Sequence, residues 1–224
     1  EIIIMIPLPD FEKSFEYENN FYLSCHITRI SKILAQYELF KLVNKIPGAI
    51  VECGVLKGAS FSRFAAFREI FSNPFSKQII GFDTFDEFPE TSFQDDKQRR
   101  DLQINVAGNQ SISAEQLKKI LKHKGVERNV ELIEGDITKT VPKYVEDNPR
   151  LKISLLNLDT DIYEPAATIL ENLYPKITKG GILLLDDYET FPGEAKAVDD
   201  YFKDEDIEIK KFSYCLSPSY IIKK

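Results

Sequence analysis

The chain has 224 residues, 43% of them hydrophobic, and a formal net charge of −7. That length suits one globular domain with appendages, and that apolar content excludes wholesale disorder. The acidic balance removes the basic face that nucleic-acid binding requires, so no nucleic-acid partner is expected, while a cationic ligand or metal ion stays open.

The three cysteines, Cys25, Cys53 and Cys215, are odd in number, widely spaced and without a CxxC pair. A disulfide framework and a thiolate zinc site are therefore not expected, and a reducing, cytoplasmic setting is. The opening EIIIMIPLP is apolar but too short to span a bilayer, and it lacks the basic start and the cleavage site of a signal peptide. No membrane partner is expected. Position 1 is not Met, so the natural chain is expected to begin further upstream.

In chain order, residues 27–45 place Ile30, Ile33, Leu34, Tyr37 and Leu42 near helical spacing, and Pro47 and Gly48 stop that helix. Residues 1–47 are thus expected to form an N-terminal helical segment over a single domain at 48–224. The rhythm then changes. Short apolar runs at 49–53, 78–82, 130–134, 153–159 and 181–187 have strand length and lack alternation, the pattern of strands buried on both faces of a parallel sheet. Helical patterns separate them at 60–71, 113–125 (with a capping box from Ser113 to Gln116), 164–177 and 193–202. The expected fold is a doubly wound α/β sheet, mostly parallel, closed by an antiparallel pair from 207–212 and 214–224. Residues 84–110 are polar, show no clear period and exceed an ordinary βα loop. They are expected to form a lid or recognition loop over the ligand crevice.

In such a sheet ligands bind at the carboxyl ends of the strands. The first run ends in ECGVLKGAS, where Gly54 and Gly58 permit a tight turn and Ser60 opens a helix. The spacing is not that of a P-loop or of G-x-G-x-x-G. Asp83 ends the second run and Asp136 follows the third. LDTDIY puts Asp159 and Asp161 after the fourth, and ILLLDDY puts Asp186 and Asp187 after the fifth. One strand-end aspartate is most simply a turn or helix cap. An acid after each of five strands asks for more. Glu52, Asp83 and Asp136 suit a nucleoside-bearing ligand, Asp83 being placed to accept ribose hydroxyls. Asp159, Asp186 and Asp187, from neighbouring strands, suit a hard divalent ion such as Mg²⁺, without which the close carboxylates would have to share protons.

VECGVLKGAS, GFDTFDEFP, LDTDIYEPAATILENLYPKITKGG and ILLLDDYETFPGEAKAVDDYF together resemble the macrocin O-methyltransferase (TylF-type) family of class I methyltransferases, over roughly residues 45–204. The resemblance implies a Rossmann-like fold, S-adenosylmethionine and Mg²⁺ as cofactors, and methyl transfer to a hydroxyl of a small molecule, foremost a deoxysugar of a natural product or nucleotide sugar. By matching motif, Glu52, Cys53, Gly54, Gly58 and Ser60 would line the S-adenosylmethionine site. Asp83 would hold the ribose and Asp136 would lie near the adenine. Asp159, Asp186 and Asp187 would bind the metal, and Asp159 or Asp161 would take the hydroxyl proton. Catechol-type relatives place a lysine three residues after the first metal acid, and Ile162 stands here instead. Other readings remain: a phenolic acceptor, a non-catalytic nucleoside-binding protein, or a haloacid-dehalogenase-type phosphatase, to which DTD and DD after apolar runs are also similar. His123, in a basic helix, is expected to be solvated, and His26 is a distant candidate base. The apolar N-terminus is expected to offer a partner surface, as in a homo-oligomer.

Overall fold

The computed structural model describes residues 5–224, so the first four positions of the apolar opening lie outside the described residues. The parallel strands are β1 (Ala49–Cys53), β2 (Ile79–Asp83), β3 (Val130–Glu134), β4 (Ile153–Leu158) and β5 (Ile177–Leu185). Two short strands, β6 (Lys210–Lys211) and β7 (Ser219–Ile222), complete a seven-stranded sheet of order β3-β2-β1-β4-β5-β7-β6. β7 pairs antiparallel with both β5 and β6. This is a Rossmann-like α/β fold.

The helices are α1 (Ser14–Ser24), α2 (Ile27–Val43), α3 (Ala59–Phe71), α4 (Gln94–Ala107), α5 (Ala114–His123), α6 (Ile137–Asp147), α7 (Tyr163–Leu173) and α8 (Pro192–Phe202). Strand alternation distributes them. Ile50, Ile79, Leu155 and Leu184 point to one face and pack with α2, α3 and α5. Val51, Ile80, Leu156 and Leu183 point to the other and pack with α6, α7 and α8. Each wholly buried aliphatic side chain contributes about 2 kcal/mol, and β1, β2 and β4 are buried along their full length. No helix among the described residues is long and apolar enough to cross a membrane.

β1 lies between β2 and β4 in the sheet. The chain therefore winds outward from β1 to β3, then returns to β4 on the other side. The reversal at β1 and β4 opens a crevice at their carboxyl ends, the place where open α/β sheets take ligands.

Several elements differ from expectation. The polar stretch 84–110 is not a structureless loop, because α4 occupies half of it. That helix buries only Asp96 and Arg100, so its inward stripe is charged and gives no hydrophobic period. α6 went unmarked; its apolar stripe is short, and Pro142 interrupts a helical reading. The helix expected to run to 177 ends at Leu173, and Pro175 continues it only as a 3-10 turn. In α2 the inward residues are Ala35, Gln36, Leu39, Phe40 and Val43, while Leu34 and Leu42 face outward. α1 buries none of its residues.

Candidate active site

Three hydrogen bonds bring the strand ends level. Gly54 N donates to Phe82 O at 2.9 Å, Asp159 N to Cys53 O at 3.0 Å, and Asp186 N to Leu158 O at 3.0 Å. Gly54 has φ +91°, and a Cβ there would overlap the carbonyl oxygen of Asp159. Only glycine lets the turn after β1 lie against the exit of β4. Leu56, Phe85 and Asp161, in the loops after β1, β2 and β4, hold positive φ without being glycine. Such conformations cost of order 1 kcal/mol or more and gather at sites that need a particular side-chain aim.

On the β1–β2 side the expected residues are placed as follows. Asp83 ends β2, and its carboxylate accepts from the backbone of Val55 (2.6 Å), Leu56 (3.0 Å) and Phe85 (2.7 Å). It ties the glycine turn to the β2 loop. Glu52 is wholly buried; Ser60 Oγ donates to its Oε1 at 2.7 Å, and its Oε2 has no partner. Burial raises its carboxyl pKa to about 7. Gly58, at φ +78°, begins α3 without a side-chain cap. The Cys53 side chain packs in the α6–α8 core, where burial pushes its thiol pKa up, so it offers the crevice only main chain. Asp136 is an exposed N-cap of α6: its Oδ1 accepts from Thr138 N at 3.0 Å, and Lys139 lies beside it. Those contacts hold its pKa below the usual carboxylate range.

The β4–β5 side is arranged otherwise. Oxygens of Asp159, Asp161 and Asp187 lie within 4.8 Å of one another. Burial and the neighbouring carboxylates raise the proton affinity of all three, most for Asp159 and Asp161. Asp186 stands apart from that trio. Its Oδ2 takes the ammonium of Lys32, from α2, at 2.5 Å, and its Oδ1 is buried without a partner. Burial opposes the charge on Lys32, yet Asp186, Asp159 and Asp187 together hold its pKa above the usual lysine range. Glu194 is wholly buried; its Oε1 accepts from Asp187 N at 2.9 Å, its Oε2 is unpartnered, and burial raises its pKa far. The site thus concentrates negative charge with one lysine against it.

A family model described as macrocin-O-methyltransferase (TylF) matches residues 28–212, from α2 through the whole crevice to β6. The chain belongs to this family. It is 26% identical over 149 residues to the 8-demethyl-8-(2,3-dimethoxy-alpha-L-rhamnosyl)-tetracenomycin-C 4'-O-methyltransferase of Streptomyces olivaceus, a match covering 66% of this chain and 55% of that protein. It is 26% identical over 162 residues to the demethyldecarbamoylnovobiocin O-methyltransferase of Streptomyces niveus, covering 70% of this chain and 59% of that one. The chain thus spans little more than half the length of these curated relatives. Among solved structures, the calicheamicin methyltransferase CalS11 superposes with a TM-score of 0.76 at 29% identity, over 97% of this chain and 86% of that one. The O-methyltransferase NovP shares the fold with a TM-score of 0.68 at 23% identity, over 88% of this chain and 80% of that one.

For a member of the TylF family, the site holds three residues that the sequence alone does not mark. Lys32 lies on a helix far upstream, and nothing in its local pattern points at Asp186. Glu194 follows the DD pair by one helical turn beyond Phe191, where it reads as an ordinary first-turn acid. Asp96 is buried inside the polar stretch. Of the histidines, His26 caps α2 through Thr28, and His123 stacks on Phe11 with centroids 4.1 Å apart.

Proposed function

We propose that the protein is an S-adenosylmethionine- and Mg²⁺-dependent O-methyltransferase that acts on a deoxysugar hydroxyl of a natural product or nucleotide sugar. The observation that carries this reading is the convergence of Asp159, Asp161 and Asp187 beside the glycine turn at the switch point, in a chain of the TylF family. The relatives support the acceptor class: one is named for a rhamnosyl tetracenomycin, and CalS11 is described as a TDP-rhamnose 3'-O-methyltransferase.

The residues present fit both cofactors. Glu52, Ser60, Asp83 and the uncapped start of α3 give the β1–β2 side an acid-and-hydroxyl lining suited to an amino-acid-bearing nucleoside. S-adenosylmethionine, when bound, supplies an electrophilic methyl group on a sulfonium. On the other side the unpartnered Asp186 Oδ1 and the crowded carboxyls lack a counter-charge that a hard cation provides. Such a cation, when bound, lowers the proton affinity of an acceptor hydroxyl. Asp159, Asp186 and Asp187 would hold it, with Lys32 giving way at Asp186. Asp161 lies within the same cluster, which places its carboxylate to receive the hydroxyl proton once a cation is bound. The α4 segment is joined to the N-termini of α7 and α8 through Asp96.

The test uses the full chain with TDP-rhamnose, S-adenosylmethionine and Mg²⁺, read by product mass. A gain of one methyl group is expected, abolished by EDTA and restored by Mg²⁺, together with a thermal shift from S-adenosylhomocysteine that EDTA leaves largely intact. Full turnover in EDTA would overturn the metal part of the proposal. Absence of the shift would overturn the cofactor.

A further inference from the structure

We infer that Asp96 is a positioning residue that sets the spacing between the Asp161 and Asp187 carboxyls, and so makes α4 a structural part of the acid site. This rests on the reading that the acid cluster holds a divalent cation through Asp159, Asp186 and Asp187, with Asp161 beside it as the proton acceptor. Asp96 lies in the first turn of α4 and is wholly buried. Burying a carboxylate with no cation partner costs several kcal/mol unless strong donors meet it. Here they come from two other helices. Asp96 Oδ2 accepts from Tyr163 N, the first residue of α7, at 3.0 Å. Its Oδ1 accepts from Gly193 N, in the first turn of α8, at 2.7 Å.

Neither helix caps itself. The N-cap residues are Ile162 and Phe191, whose side chains accept no hydrogen bond. First-turn N–H groups need an acceptor, and a negative charge at that end of a helix is favourable. One carboxylate on a third helix meets that need for both.

The two helix ends it joins are continuous with the acid loops. Asp161 stands two residues before Tyr163. Asp187 is held to α8 by Phe191 N donating to Asp187 O at 2.9 Å and by Asp187 N donating to Glu194 Oε1 at 2.9 Å. Fixing Tyr163 and Gly193 on one carboxylate therefore fixes the two acid loops relative to each other. Gly193 is required for the fit, since a Cβ there would overlap Asp96 Oδ2.

The segment is fastened in the same place by other means. Glu164 accepts from Thr91 Oγ1 at 2.9 Å and from Ser92 N at 2.7 Å, Phe93 stacks on Tyr163, and Arg99 lies over the Phe191 ring. Arg100, the other buried residue of α4, turns inward to Phe88 O, Pro89 O and Glu90 and closes its own loop. Within α4, among the described residues, Asp96 alone hydrogen-bonds to the starts of both α7 and α8.

The experiment measures Mn²⁺ and S-adenosylhomocysteine binding by calorimetry on the full chain. Asp96→Asn keeps the shape but offers one acceptor oxygen, so its amide must face one of the two N–H donors. Mn²⁺ affinity is expected to fall about tenfold or more, the range seen when a group that orients metal ligands is lost. S-adenosylhomocysteine affinity is expected to stay within about twofold, because the β1–β2 side does not touch Asp96. Gly193→Ala, which presses on the same carboxylate from α8, should give the same split and carries the test if Asp96→Asn does not fold. Thr91→Val, which loosens the segment at Glu164 alone, should leave Mn²⁺ affinity unchanged. If wild type binds Mn²⁺ and both site variants bind it equally well, or lose both ligands in parallel, the positioning role is overturned while the metal reading stands. If wild type binds no Mn²⁺, the metal reading falls and this inference with it.

Discussion

Asp83 and Asp136 follow β2 and β3; Asp159, Asp161 and Asp187 follow β4 and β5. All five are aspartates at the carboxyl edge of one sheet, yet the two sets live in opposite surroundings. The first set is answered by donors of its own chain: three backbone amides for Asp83, and Thr138 and Lys139 for Asp136. The second is crowded by its own kind, with raised proton affinities and Lys32 as its cation at Asp186. A carboxylate whose lone pairs meet N–H groups is already satisfied by its own loop. One surrounded by other carboxylates stores an electrostatic penalty that a bound cation relieves. The difference separates acids that their own loops satisfy from acids that lack a counter-charge.

The comparison breaks most sharply at Asp159. Asp159→Asn removes charge from the crowded set while keeping its size. Methyl transfer should fall on the order of 100-fold or more, as when one preorganised electrostatic group is removed from an active site. Thermal stability in EDTA should hold or rise, because a like-charge neighbour is gone. A variant that loses activity only in proportion to lost folded protein would place Asp159 with the loop-satisfied acids instead.

This division was half legible in the sequence. The apolar runs ending in acids located the sheet and the crevice, because buried parallel strands carry no alternation to confuse the reading. Strand-end position grouped Asp159 with Asp186 and Asp187, whereas the structure brings Asp161 to Asp159 and Asp187 and pairs Asp186 with Lys32. What stayed hidden is long-range. Lys32 meets Asp186 across 154 positions of chain, and Asp96 meets Gly193 across 97. Such contacts exist only once α2 and α4 have docked. α4 itself was hidden because its buried stripe is an acid and a base, which hydrophobic periodicity counts as solvent-facing. Spacing alone also could not show that Asp161 joins Asp159 and Asp187.

Glu52 sharpens the comparison with a smaller effect, since it sits on the β1–β2 side but shares the electrostatics of the other. Its pKa is raised to about 7 in the folded protein from an ordinary 4.5, burial being the main cause. The folded state therefore binds a proton that the unfolded state has released between about pH 4.5 and 7. Stability from this group is full below the unfolded pKa and is lost as pH rises through that window, by up to about 3 kcal/mol. Glu52→Gln keeps an acceptor for Ser60 and carries no charge. Chemical denaturation of wild type from pH 5 to 8 should show declining stability that the variant largely lacks. An equal decline in both proteins would assign the pH dependence to the aspartate cluster.

The smallest effect belongs to Asp136, and its smallness is the point. Asp136→Ala removes the N-cap of α6, and caps of this kind contribute about 1 kcal/mol. The side chain is exposed, so Lys139 adds little. The loss should appear as a modest drop in denaturation midpoint with an unchanged slope. Mn²⁺ affinity should not move, because Asp136 follows β3, which β2 and β1 separate from β4 and Asp159. S-adenosylhomocysteine affinity decides the remaining question. If it falls well beyond the stability loss, Asp136 serves the adenine as well as the helix, and the β1–β2 side holds its ligand with the same groups that build its loops. If it stays put, Asp136 is a cap alone, and nucleoside recognition on that side rests on Asp83, Glu52 and the glycine turn.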